Sequence, residues 1–193
     1  MHNYCARVEH IELDRRALRV LAHPLRARLL SELRLRGPAN ATALAERLDT
    51  NTGATSYHLR KLAEVKLVVE TGEGHGKERF WAAAQESHGW GDALIAGDPD
   101  ALAASDWLLK HYFQQFVERA LRWEQARQNW PVPWQEAAAA SDFIVDLNPE
   151  QLEALMQELY VVLQRYKEIA PGKGSRQVLV NLFAMPTEPD DLP

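Results

Sequence analysis

The residues best suited to directional polar contact lie together in the stretch Asn51 to Leu62, NTGATSYHLRKL. At helical spacing Thr55, Leu59, Leu62 and Val65 share one face, which would pack inward. The opposite face presents Gly53, Ser56, Tyr57 and Arg60, flanked by Thr52, Ala54 and Lys61. Small residues allow a backbone to approach a surface closely, and hydroxyls and a phenol reach base edges or phosphates. Arg60 and Lys61 stand where a sugar-phosphate strand would run. The helix start near Asn51 and Thr52 adds free N–H groups and partial positive charge. Taken alone, such a face is more often a solvated surface, so its meaning depends on the elements around it.

Other chemistry is sparse. His2, Cys5 and His10, with Glu9 adjacent, are types that bind a soft or borderline metal, but in an N-terminal tail they are expected to be solvated. The single cysteine excludes an intramolecular disulfide and any multi-thiolate site within one chain. Gly72 to Lys77, GEGHGK, superficially resembles a phosphate-binding loop, yet three residues separate Gly72 from Gly76 where four are needed, and Glu78 replaces the hydroxyl that would hold Mg²⁺. There is no nucleophile elbow and no His-Glu-x-x-His pair. The expectation is a protein that is not an enzyme, with no metal and no cofactor.

The elements that must position the polar face begin upstream. Leu18, Leu21, Leu25, Leu29, Leu30 and Leu33 recur at helical spacing, broken by His23-Pro24, which predicts two helices with the second starting at Pro24. Gly37-Pro38 stops that helix, Thr42 is expected to cap a short one, and Asp49-Thr50-Asn51 makes a turn into the next. Three short helices joined this way make a helix-turn-helix. Residues 67–71 and 78–82 read as two strands around the glycine-rich tip, a hairpin placed as a wing. Its His75, Lys77 and Arg79 would reach an adjacent minor groove or its phosphates, diluted by Glu73 and Glu78.

Residues 84–100, with Gly89, Gly91, Gly97 and Pro99, read as a connector. A long helix follows from about Ala101 to Arg127, with Leu109, Phe113, Phe116 and Trp123 on one stripe. Phe143 to Leu147 alternates like a strand, Asn148-Pro149-Glu150-Gln151 starts a helix running to about Glu168, and Val178 to Phe183 reads as a last strand. The fold class expected is mainly α with small β: a winged helix-turn-helix domain over residues 1–83, then a C-terminal helical region, 101–193, with a small two-stranded element.

Composition agrees with this division. The chain has 193 residues and a net charge of −5, with 46% hydrophobic and 25% charged residues, values of a folded globular protein. Residues 1–82 carry 14 Lys and Arg against 10 Asp and Glu, whereas residues 83–193 carry 8 against 17. A mildly basic first part and a strongly acidic second part fit a phosphate-facing module joined to one that is not. No apolar run is long enough to span a membrane, and the charged N-terminal residues do not form a signal peptide, so a cytoplasmic, nucleoid-associated protein with no membrane partner is expected.

The segments LRVLAHPLRARLLSEL, ALAERL, TSYHLRKLAEVKLV and GKERFWA resemble the ArsR-type winged-helix transcriptional regulators, in particular the longer members typical of actinobacteria. The resemblance covers about residues 12–83 and implies that Thr52, Ser56, Tyr57, His58, Arg60 and Lys61 contact DNA. It also implies a homodimer that reads an inverted repeat, commonly as a repressor released by an effector, with two recognition helices in successive major grooves. Lys66 stands where the family usually has the glycine that ends the helix. Residues 43–48 hold no Cys-x-Cys pair, and the long helix has His111 without the further ligands of the family's other common metal site. Trp90, Trp107, Trp123, Trp130 and Trp134, with Tyr112, Phe113 and Phe116, point to a dimer interface ahead of an apolar pocket for a small-molecule effector. Two rival readings are a winged helix turned to protein interaction without DNA binding, which the low basicity of residues 1–82 favours, and a metal-responsive repressor resting on His2, Cys5 and His10.

Overall fold

The computed structural model describes residues 10–72 and 79–188. Its chain forms two compact units, residues 1–114 and 115–193. In the first, a short strand β1 (His10–Glu12) leads to α1 (Arg15–Leu21), whose first turn is capped by Asp14 accepting from the Ala17 N–H at 2.7 Å. His23 caps α2 (Pro24–Arg36) through Nδ1, which accepts from the Leu25 N–H at 3.2 Å, and Pro24 takes the first helical position as the sequence predicts. Gly37 ends that helix at φ +77°, a conformation that strains any side chain.

Strand β2 (Ala39–Asn40) runs directly into α3 (Ala41–Arg47). Asn40, not Thr42, is the cap: its Oδ1 accepts from the Ala43 N–H at 2.8 Å. Asn51 likewise caps α4 (Thr52–Glu64) through the Ala54 N–H at 2.8 Å. After α4, Lys66 takes φ +59°, the left-handed conformation that glycine adopts without strain. Its N–H donates to the Ala63 carbonyl and that of Leu67 to the Leu62 carbonyl, each at 3.0 Å. The helix end therefore keeps glycine's geometry with a lysine in place, at a cost of about 1 kcal/mol.

Strands β3 (Val68–Glu70) and β4 (Phe80–Ala83) form the hairpin, and the sheet is ordered β2-β4-β3, antiparallel throughout. Trp81 stands opposite Ala39 on one side and Glu70 on the other, tying the wing to the start of α3. The hairpin tip, with His75 and Lys77, lies outside the described residues, as do His2 and Cys5.

Residues 84–100 are more than a connector. They hold β5 (Ser87–Gly89), paired in parallel with β1 so that His88 lies opposite Ile11, then α5 (Asp92–Ile95) and the start of α6 (Pro99–Ala126). The core of this unit is leucine-rich. Leu18, Leu21, Leu29, Leu59, Leu62 and Leu67 are fully buried, and Ala101 and Leu108 of α6 join them. Burying each such leucine is worth about 1.5–3 kcal/mol. A chain of polar groups crosses the same core: Arg34 Nε donates to the Gln85 carbonyl at 3.0 Å and Nη1 to His88 Nδ1 at 2.6 Å, while His88 Nε2 lies 2.7 Å from the Tyr112 hydroxyl. Because arginine only donates, the neutral His88 ring carries its proton on Nε2. Burial lowers Arg34 to about 10 and pushes the Tyr112 hydroxyl up.

In the second unit, α6 gives way to a 3-10 turn (Arg127–Asn129), then α7 (Val132–Ala137) and α8 (Pro149–Lys167). The expected start of α8 is present as a reciprocal cap: Asn148 Oδ1 accepts from the Gln151 N–H at 2.8 Å, and Gln151 Oε1 from the Asn148 N–H at 2.9 Å. Residues 143–147 and 178–183 form no strand, contrary to their alternating pattern. A strand needs a ladder partner, and both segments lie exposed, Phe143 at 87% and Ile144 at 80%.

Candidate nucleic-acid interface

Three buried anchors orient α4. Thr55, Leu59 and Leu62 point into the core, which turns Thr52, Gly53, Tyr57 and Arg60 outward, with Ser56 and Lys61 half-buried at the margins. Val65, expected on the inward face, sits half-buried at the helix end. Tyr57 is 50% exposed, its ring held outside the core. Lys61 Nζ lies 5.9 Å from the centre of that ring and 2.9 Å from Glu64, so its charge is shared with a neighbour. Gly53 is constrained from within: a Cβ there would meet the capping Oδ1 of Asn51 at 3.3 Å.

A cleft of about 370 Å³ opens beside this face. Thr52, Ser56 and Arg60 of α4 line it, with Asn40, Ala41 and Thr42 at the start of α3, Arg79 at the base of the wing, and Trp81. Among the described residues its rim thus carries three hydroxyls and two guanidinium groups without a carboxylate. Arg79 is not idle, since Nη1 pairs with Glu70 Oε1 at 2.7 Å. That contact competes with any phosphate for the same cation, and an exposed pair of this kind is weak enough to yield.

The sequence-predicted residues therefore separate into groups. Thr52, Ser56, Arg60 and Arg79 come together at the cleft, Gly53 and Tyr57 face outward beside it, and Lys61 is turned to Glu64. His58 leaves this face for the start of α2, where its ring centre is 4.4 Å from that of His23. Asn40, Thr42 and Trp81 were not anticipated as part of the site. Only the pairing of β2 with β4 brings them there, a contact between residues some forty positions apart that no local pattern announces.

Comparison with protein families also finds the helix-turn-helix. Residues 21–71 match the family described as a helix-turn-helix domain. A solved structure, that of a possible transcriptional regulator for arsenical resistance, is similar at 27% sequence identity over 57% of this chain and 95% of its own, with a TM-score of 0.32. No curated protein matches the chain. With α3 and α4 forming the helix-turn-helix and β3 and β4 the wing behind it, the first part of this chain is a winged helix-turn-helix domain.

Proposed function

We propose that the protein is a homodimeric transcriptional regulator that reads double-stranded DNA through α4 and acts as a repressor on an inverted repeat. The observation that carries this reading is the outward face of α4, continuous with a cleft whose rim holds Thr52, Ser56, Arg60 and Arg79. A duplex lying on α4 would receive base contacts from Ser56 and Tyr57, and phosphate contacts from Arg60, Arg79 and the wing residues His75 and Lys77. DNA contact is assigned to residues 1–83, and dimerisation with effector sensing to residues 101–193.

Support for a second copy comes from α6. Leu102, Leu109, Phe113, Val117 and Leu121 repeat along one side of that helix, each more than 40% exposed. An apolar stripe of this length is costly in water and matches the central patch of a subunit interface. Two copies would set two α4 helices one DNA turn apart. Among the described residues no helix is long and apolar enough to cross a membrane.

The direct test is fluorescence anisotropy with labelled duplex from the gene's own upstream region against a scrambled duplex, at several salt concentrations. Tight binding to the first that weakens steeply with salt is expected. If both duplexes bind equally weakly and a selection from genomic fragments also returns none, the DNA reading falls, and the winged helix is a protein-interaction module.

A further inference from the structure

His58 belongs to α4 but its ring does not join the outward face. It lies against His23 at a centroid distance of 4.4 Å, the two planes 38° apart, with the Tyr57 ring edge-on at 5.1 Å. Arg26 reaches the same place: its Nη1 is 3.4 Å from His58 Nδ1, and its Nε donates to the Val20 carbonyl of α1. Local bonding fixes both neutral imidazoles. His23 Nδ1 accepts from the Leu25 N–H, and His58 Nδ1 faces a guanidinium that can only donate, so each ring carries its proton on Nε2. The cluster thus offers N–H donors from three side chains.

Among the described residues no anion answers them. The groups facing the cluster are the Val20 carbonyl from α1, His23 and Arg26 from α2, and Tyr57 from α4 itself. Glu64, the acid further along α4, is engaged by Lys61 and Arg16. Burial first, then Arg26, holds His23 below the usual imidazole range. For His58 burial is again first, followed by His23 and then Arg26. Three basic groups packed together without a counter-charge make an arrangement that an oxyanion would complete.

We propose that His23, Arg26 and His58 form a seat for a backbone phosphate of the bound duplex, and that the phosphate is taken up together with a proton. This rests on the DNA reading above. The seat lies on the flank of α4, next to the half-exposed Tyr57, on the side away from the wing cleft. The strand bordering an occupied major groove passes such a flank. Placing a phosphate beside the rings favours the imidazolium that Arg26 otherwise opposes, so the complex holds a proton the free protein lacks. Affinity then rises as pH falls through the interval between the free and bound titrations.

The experiment measures anisotropy with a duplex obtained by genomic-fragment selection, at constant salt, from about pH 8 to about pH 5.5 around the ordinary imidazole value. Wild-type binding should tighten roughly 3- to 10-fold across this range. His58→Gln should flatten the profile, and His23→Asn, which keeps a capping acceptor for α2, should reduce the slope without unfolding the domain. Calorimetry in two buffers of different ionisation enthalpy should count about one proton per protomer for wild type and almost none for His58→Gln. A duplex bound equally at all pH values by wild type and His58→Gln overturns the seat alone. Failure to bind any duplex at any pH removes the DNA reading and the seat with it. Titration of the free protein with inorganic phosphate, followed by the imidazole NMR signals, separates the two sources of the anion. Shifts saturating well below millimolar phosphate would assign the seat to a free anion and overturn the duplex assignment.

Discussion

Thr55 shows how a single residue of α4 serves packing and not contact. It is fully buried and its Oγ1 has no hydrogen-bond partner among the described residues, so the hydroxyl lost its hydration without replacement. Thr55→Val keeps the shape and removes the unsatisfied group. Stability should hold or rise by up to about 1 kcal/mol in urea denaturation, and a loss larger than that would mean the hydroxyl has a role in the fold. The outer face should divide its labour differently. Tyr57→Ala is expected to reorder preferences across a panel of duplexes, whereas Lys61→Ala, whose charge is already shared with Glu64 at 2.9 Å, should weaken all of them by a similar small factor. Equal and uniform effects of both substitutions would count against base readout by Tyr57. At this scale the chemistry of the site was largely legible, because residue type and helical spacing determine which side chains share a face. The turning aside of His58 was not, since it depends on α2 supplying His23 and Arg26 at the junction.

At the scale of elements, the ends of helices decide where the face points. Asn51→Ala removes the acceptor for the Ala54 N–H and should cost about 1 kcal/mol in denaturant unfolding, with weaker duplex binding from the frayed first turn. An unchanged midpoint and affinity would show that the cap is dispensable. The helix starts at Pro24 and Pro149 were readable because proline and Asx residues act locally. The start of α3 was misplaced for an instructive reason. Asn40 and Thr42 are both able to cap, but Asn40 pairs with Phe80 across the sheet and is held extended, at φ −83° and ψ 167°, the conformation a cap requires. The stretch 84–100 was misread for the same reason: its glycines signal irregular chain, while the parallel pairing of Ser87–Gly89 with His10–Glu12 comes from residues nearly eighty positions away.

For the whole molecule, the exposed stripe of α6 is the feature to test. Val117→Glu places a charge in the middle of that stripe, at a side chain 51% exposed. Sedimentation should shift from dimer to monomer, and affinity for a two-half-site duplex should fall at least about tenfold as the second contact ceases to be intramolecular. A wild-type protein that sediments as a monomer at micromolar concentration would overturn the dimer. The sequence by itself determined the helical periods, the proline starts, the polar face of α4 and the charge division between the two parts, because each is a property of residue type at short spacing. Tertiary structure decided which groups meet. The wing base reaches the cleft through the β2–β4 pairing, Lys66 accepts a glycine's backbone angles because the helix end demands them, and residues 143–147 and 178–183 stay without a ladder because alternation supplies a face but not a partner strand.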